Sequence, residues 1–134
     1  MVSVGFDNDG AMGVPEGPVE VGWFRYGAAP GQQGNALVDG HVDWTDRQTG
    51  IPRGAVFWHL ARLSVGSMVI VRSSDREFTY AVTEKRRYRW DDPEGVSVLQ
   101  PTTDARITLI TCGGVFDRST RNYSMREVVI AQLQ

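Results

Sequence analysis

The chain has 134 residues, with 14 Lys and Arg against 16 Asp and Glu and a formal charge of −2. This length and the 41% apolar content predict a single domain, residues 1–134, with one core, and the 22% charged content excludes a disordered chain. The balanced charge excludes a nucleic-acid-binding surface, and the apolar runs are too short for a membrane span of ~18 residues. The single cysteine excludes an internal disulfide and a metal site with several thiolate ligands.

Glycine and proline punctuate the first half of the chain, which predicts short extended segments joined by turns. The opening stretch ends in a predicted strand at Val19–Phe24. After a loop, a short strand at Asn35–Gly40 leads directly into His41. Apolar residues three and four positions apart within Ala55–Leu63 predict a short helix or helical turn.

The second half contains the clearest hairpin, in which Met68–Arg72 and Glu77–Trp90 flank the polar turn SSDR. A long irregular connection, DDPEGVSVLQPTTDA, separates this hairpin from a predicted strand at Arg106–Thr111. A loop, GGVFDRSTRNYS, then leads to a final strand at Glu127–Leu133. Many short strands without any strand–helix alternation predict an all-β fold, closed as a mainly antiparallel barrel or sandwich.

Cys112 lies at the predicted exit of the strand Arg106–Thr111, directly before Gly113 and Gly114. If the last two strands are antiparallel neighbours, Arg126 at the entrance of the final strand lies beside this thiol. A guanidinium next to a thiol favours the thiolate and can hold a developing oxyanion. The two glycines are expected to let substrate and backbone approach closely.

A nucleophilic cysteine also needs a partner for proton transfer, and only two histidines are available. His41 follows a glycine at a predicted turn, where side chains tend to face outward. His59 falls among apolar and aromatic neighbours and is predicted to be a half-buried helical residue. His41 is therefore the expected partner of Cys112.

These residues carry a resemblance to a known family. TLITC matches the TLxTC signature of the sortases, the cysteine transpeptidases of bacterial surfaces, and DGHVD and REVVIA resemble their histidine and arginine segments. The finer pattern of VGWF, GAAPGQQGNALVDGHVD, VFWHLARL and TCGGVFD is similar to the class F sortases of actinobacteria and related bacteria. The match runs in order from about Val4 to Ala131.

The resemblance implies a closed eight-stranded β-barrel with Cys112, His41 and Arg126 at one end, and no cofactor or metal. Sortases cleave an LPXTG-type sorting signal between Thr and Gly and form a thioacyl intermediate on the cysteine. They then transfer the peptide to an amine of peptidoglycan or of a pilin. The implied roles are nucleophile for Cys112, proton donor and acceptor for His41, and substrate and oxyanion binding for Arg126.

The pattern leaves the arginine open, because class F sortases often read DN before the last strand where this chain reads RE. Arg118 is the alternative to Arg126, and Arg121 is a third candidate. The connection ahead of the cysteine strand is expected to form one wall of the peptide groove, although Val98 and Leu99 fit a core position equally well. The residues expected to contact the substrate are Thr111, Gly113, Val96, Val98 and Leu99.

The sequence supports only weak predictions for two further groups of residues, an acidic loop and the neighbours of His41. Asp91, Asp92 and Glu94 lack the alternating ligand spacing of a calcium loop, which favours a solvated loop. Asp43 and Trp44 lie next to the candidate histidine and fit either a role in orienting its ring or a place in the cleft wall.

Three other functions compete with the sortase reading. An L,D-transpeptidase carries a histidine two residues before its nucleophile, where this chain has Ile110, so that family is excluded. A hydrolytic cysteine peptidase and a catalytically silent β-barrel that binds peptide or glycan remain as alternatives. The family implies a place at the outer face of the cytoplasmic membrane. No anchor or signal peptide is visible in the sequence, so we expect a soluble catalytic portion.

Overall fold

Strands account for most of the ordered backbone in a computed structural model that describes residues 1–134. Two short 3₁₀ helices, Leu60–Arg62 and Pro93–Leu99, interrupt them. The strands are β1 (Val2–Val4), β2 (Gly22–Phe24), β3 (Gly34–Asp39), β4 (Asp43–Thr45), β5 (Pro52–Gly54), β6 (Met68–Arg72), β7 (Glu77–Arg89), β8 (Ala105–Asp117) and β9 (Asn122–Leu133).

Seven of these strands form one sheet in the order β1-β2-β3-β8-β9-β7-β6, and β4 and β5 form a separate ribbon. The all-β prediction is confirmed, but the closed eight-stranded barrel is wrong. Strands β1 and β6 remain the two edges of the sheet, which curls into a half-barrel. Most neighbours are antiparallel, whereas β1–β2 and β3–β8 are parallel.

Apolar side chains cover both faces of the central strands. On one face, the core contains Val38, Tyr80 and Val129 and is closed by Leu60 of the first 3₁₀ helix. On the other face, a smaller cluster joins the second 3₁₀ helix to β9. Because alternate residues of a strand point to opposite faces, burial on both sides explains the continuous apolar run VVIA in β9.

Strands β8 and β9 extend well beyond their predicted ends and form a long hairpin that closes at residues 118–121. The loop predicted after Cys112 is therefore mostly strand, and Cys112 lies inside β8 rather than at its exit. The register slips between Gly113 and Phe116, and Gly114 adopts a φ of 76° within this bulge. The two glycines thus mark a bulge and not a strand end.

The helical predictions are partly confirmed. Ala55–Leu63 contains the expected helical turn, but His59 is exposed at its start and is not half-buried. The connection predicted to be irregular contains the second 3₁₀ helix. Asp92 caps this helix by accepting from the Glu94 N–H at 2.9 Å, and proline occupies its first turn. Neither helix has the length and apolar character needed to cross a bilayer.

Candidate active site

The parallel pairing of β3 with β8 brings the candidate histidine to the candidate cysteine. Both strands run in the same direction, so His41 just after β3 and Cys112 in β8 lie at one end of the sheet. The Gly40 N–H donates to the Ile110 carbonyl at 3.2 Å, and the Thr111 hydroxyl donates to the Gly40 carbonyl at 2.7 Å. These two bonds fix the backbone before His41 against the backbone before Cys112.

The antiparallel pairing of β8 with β9 places Arg126 directly opposite Cys112. Side chains of directly opposite residues share one face of the sheet, so the guanidinium and the thiol lie on the same side. The guanidinium donates to the carbonyls of Tyr123 and Met125 at 3.1 and 2.9 Å and to the Asn122 Oδ1 at 2.8 Å. Arg126 is therefore held in place before any substrate arrives.

His41, Cys112 and Arg126 line a single cleft of about 570 Å³. We call this space the donor cleft. The second 3₁₀ helix supplies its apolar wall: Val96 is exposed, whereas Val98 is buried against Val128 and Ile130. The other predicted wall residue, Leu99, and the predicted contact Thr111 also line this cleft.

The alternative arginines lie elsewhere. Arg118 and Arg121 are exposed at the tip of the β8–β9 hairpin, and neither lines the donor cleft. Arg121 has a φ of 53°, which fits the tight turn it occupies. The geometry thus brings Arg126 to Cys112 and leaves the other two arginines at a distance.

The imidazole of His41 is oriented by its surroundings. Its Nε2 lies 2.7 Å from the Pro15 carbonyl oxygen, a contact that requires Nε2 to carry a proton. Trp44 packs against the ring edge-on, with centroids 5.1 Å apart. Trp44 therefore helps to orient the ring, one of the two roles expected for it. The Pro15 contact has no local sequence signal, because 26 residues separate the partners.

The thiol of Cys112 is half-buried, and burial is the main reason why its pKa is raised. Arg126 acts in the opposite direction, while Asp43 and Asp39 raise the pKa further. The interaction between Arg126 and Cys112 therefore favours the thiolate, as expected from the sequence. The burial and the two carboxylates outweigh it, so the resting cysteine is a thiol at neutral pH.

A second cleft of about 370 Å³ opens on the other side of Cys112. Here the Tyr123 hydroxyl donates to the Asp43 carboxylate, and Glu127 pairs with Arg87. Burial and the neighbouring Asp43 raise the pKa of Tyr123, which stays a neutral phenol. Cys112 thus lines two clefts, the donor cleft with Asp39 and the second 3₁₀ helix, and a second cleft with the Asp43–Tyr123 and Glu127–Arg87 pairs.

The family model for the sortase domain matches residues 6–134, almost the whole chain. The chain belongs to the sortase family.

Solved structures agree with this assignment. A sortase D5 transpeptidase from Clostridium perfringens has a TM-score of 0.63 at 25% identity over 85% of this chain and 61% of its own length. Sortase A of Listeria monocytogenes gives the same score, identity and coverage of this chain, with 68% of its own length covered. Sortase C1 of Streptococcus agalactiae, at 22% identity, shares the fold with a TM-score of 0.67 over 87% of this chain and 54% of its own.

The present sortase chain thus spans roughly half to two thirds of the length of these solved relatives. A comparison with curated proteins found no match.

Four residues considered in the sequence analysis of this sortase have structural roles. The Thr111 side chain is buried and its hydroxyl is committed to Gly40, which favours a positioning role over substrate contact. A Cβ added at Gly113 would lie 2.8 Å from the Glu127 side chain, so any larger residue there would displace that side chain. Asp92 is the helix cap described above, and Asp91 pairs with Arg89 at 3.1 Å.

Sequence reasoning missed Asp39, the last residue of β3. It is only 6% exposed, lines the donor cleft, and has an Oδ1 atom with no hydrogen-bond partner. A signal was present in the sequence, because a lone carboxylate ends the otherwise apolar run ALVD. Buried carboxylates without partners are rare and cluster at functional sites.

Proposed function

We propose that this chain is a cysteine transpeptidase that cleaves an LPXTG-type sorting signal between Thr and Gly and transfers the acyl part to an amine. The observation that carries the proposal is the convergence of Cys112, His41 and Arg126 on one cleft with an apolar wall. A nucleophile, a proton carrier and a cation around one space form the arrangement that acyl transfer needs. Family membership gives independent support.

In the first half of the reaction, the Cys112 sulfur attacks the threonine carbonyl carbon, and the oxygen becomes an oxyanion. Arg126 donates hydrogen bonds to that oxyanion and to the substrate backbone. As the C–N bond breaks, the imidazolium of His41 gives its proton to the departing glycine amine. The product of this half is a thioester on Cys112, and the imidazole is neutral.

In the second half, the neutral imidazole accepts a proton from the incoming amine, which attacks the thioester carbonyl. The C–S bond breaks and the sulfur leaves as thiolate, to which the imidazolium can return the proton. The raised pKa of the Cys112 thiol means that each cycle starts from a thiol. We infer that its proton passes to His41 when the sulfur attacks.

The apolar wall of the donor cleft suits the Leu-Pro pair of such a signal. Val96 is exposed on this wall, and Leu99 lines the cleft beside it. We propose sorting signals of surface proteins as donors and an amine of peptidoglycan or a pilin as acceptor, at the outer face of the membrane. The motif pattern around His41 and Cys112 supports membership in class F.

The test is mass analysis of products from an internally quenched LPXTG peptide, with and without triglycine. The wild type should cleave between Thr and Gly and yield a triglycine-extended product, whereas Cys112→Ala should give neither. Cleavage that never yields the extended product with triglycine or with other amines would favour the hydrolytic peptidase. Absence of cleavage by folded wild type would favour the peptide-binding or glycan-binding module.

Matched substitutions separate the arginine candidates. Arg126→Gln should lower kcat/KM by about 100- to 1000-fold, the usual cost of removing an oxyanion donor. It should also slow alkylation of Cys112, because Arg126 lowers the pKa of that thiol. Arg118→Gln is the matched control and should stay within about twofold of wild type, as expected for an exposed loop charge. A large loss of kcat/KM in Arg118→Gln with little change in Arg126→Gln would instead assign oxyanion binding to Arg118.

A further inference from the structure

Asp39 is buried and lines the donor cleft, and its Oδ1 atom has no hydrogen-bond partner. Its register partner on β2 is Gly22, where an added Cβ would lie 2.5 Å from the Asp39 Oδ1, so the partner position supplies no side-chain donor. The other buried polar residue of β3, Asn35, is fully engaged with Thr108 and with the carbonyls of Val98 and Gln100. The free carboxyl oxygen is therefore particular to Asp39.

The register places Asp39 close to the thiol. Asp39 pairs with Ile110 of β8, and Cys112 follows two residues later on the same face, where both line the donor cleft. A strand spacing of ~4.8 Å and a rise of ~3.3 Å per residue put the two positions about 8 Å apart. A charge at that distance inside a half-buried cleft is felt by the sulfur.

We propose that Asp39 is a positioning residue that controls, through its own charge, the pH range in which Cys112 ionises. The inference rests on Cys112 being the nucleophile of the proposed function. Asp39 acts on the thiol and not on the substrate, so it is not a catalytic residue. The Asp39 carboxyl and the Cys112 thiol therefore ionise in a coupled way, and the thiolate forms more readily while Asp39 is neutral.

The electrostatics support this coupling. Burial raises the pKa of Asp39 from 3.8 to about 7, opposed only by a bond to its own backbone N–H. Asp39 is thus neutral below about pH 7 and anionic above it, and as an anion it raises the pKa of Cys112.

Other charged and titratable groups face the same space. His41 on the chain after β3 and Arg126 on β9 line the donor cleft with the pair, and the second cleft places further groups beside Cys112: Asp43, Arg87, Tyr123 and Glu127. The outer part of the donor cleft carries Asp7 of the N-terminal segment, Tyr88 and Arg89 of β7, and Asp92 before the second 3₁₀ helix. The test must therefore isolate Asp39 from these groups.

The experiment measures the alkylation rate of Cys112 by iodoacetamide from about pH 5 to 10, a readout that needs no peptide substrate. The wild-type rate should rise with pH, flatten near about pH 7 as Asp39 ionises, and rise again. Asp39→Asn should remove the flattening and make alkylation at about pH 8 three- to tenfold faster. A purely structural role would not change the shape of the profile.

Controls separate the contributing groups. Asp75→Asn, an exposed carboxyl at the turn after β6, should follow the wild-type profile. The flattening should persist in a His41→Asn background, which has no imidazole at this position to ionise. If Asp39→Asn does not fold, Asp39→Ser takes its place, and the wild-type profile remains a test by itself.

A wild-type profile with one simple ionisation would overturn the proposal, and so would an Asp39 variant whose profile superimposes on the wild type. If the protein fails to transfer the peptide to an amine, the proposed function is wrong, but the alkylation profile of Cys112 still tests the role of Asp39.

Discussion

Asp39→Asn should make the stability of the protein less dependent on pH. In the folded chain, burial raises the pKa of Asp39 from its ordinary 3.8 to about 7, so between these values the folded state keeps a proton that the unfolded state has lost. Stability from this group is therefore complete below about pH 3.8 and is lost as the pH rises toward 7. Asparagine cannot ionise and avoids that loss.

The size of the effect follows from the two pKa values. The separation between 3.8 and about 7 corresponds to a destabilisation of up to about 4 kcal/mol once Asp39 is fully ionised in the folded state. Asp39 is 6% exposed, so solvent screens this cost only weakly. The buried amide of the variant has its own cost, but that cost does not change with pH.

Urea unfolding of both proteins at several pH values from about 4 to 8 measures this directly. The free energy of unfolding of Asp39→Asn relative to wild type should rise from about pH 4 to about pH 7 and then level off. Carboxylates elsewhere titrate equally in both proteins and cancel in the difference. A difference that stays flat with pH would show that Asp39 ionises normally in the fold, and Asp75→Asn should give such a flat difference.

Two further predictions concern the backbone around the thiol. Thr111→Val should cost about 1–2 kcal/mol in urea unfolding, because it leaves the buried Gly40 carbonyl without its hydroxyl donor. Thr111→Ser should retain most of that stability, and equal losses in both variants would refute the bond. Gly114→Ala combines a φ of 76° with a clash between the new Cβ and the Ser124 hydroxyl and should cost about 2–3 kcal/mol. Gly10→Ala has a similar φ of 78° but no close neighbour and should cost only about 1 kcal/mol, so equal losses would rule out the contact.

The sequence was most informative where local pattern determines structure. The apolar runs in β8 and β9 and the polar connection between them were enough to predict an antiparallel pair with Cys112 beside Arg126. The structure has this pair in register. The strand ends were wrong because Gly113 and Gly114 resemble a strand end, whereas the hairpin continues through them as a bulge.

Non-local contacts explain most of what was missed. The parallel pairing of β3 with β8, which brings His41 to Cys112, joins segments separated by six other elements, and no local pattern indicates it. The half-barrel was mistaken for a closed barrel because strand periodicity does not reveal which edges pair. The second 3₁₀ helix was different, since Asp92 followed by Pro93 is a helix start visible in the sequence.

The most direct test of the central claim is intact-protein mass analysis after mixing the wild type with an LPXTG peptide and no added amine. We expect a mass increase equal to the peptide acyl group up to Thr, located on Cys112, lost on addition of hydroxylamine and absent from Cys112→Ala. Peptide cleavage without this adduct, undiminished in Cys112→Ala, would contradict the account. So would a folded protein with an alkylatable Cys112 that forms no adduct and cleaves nothing.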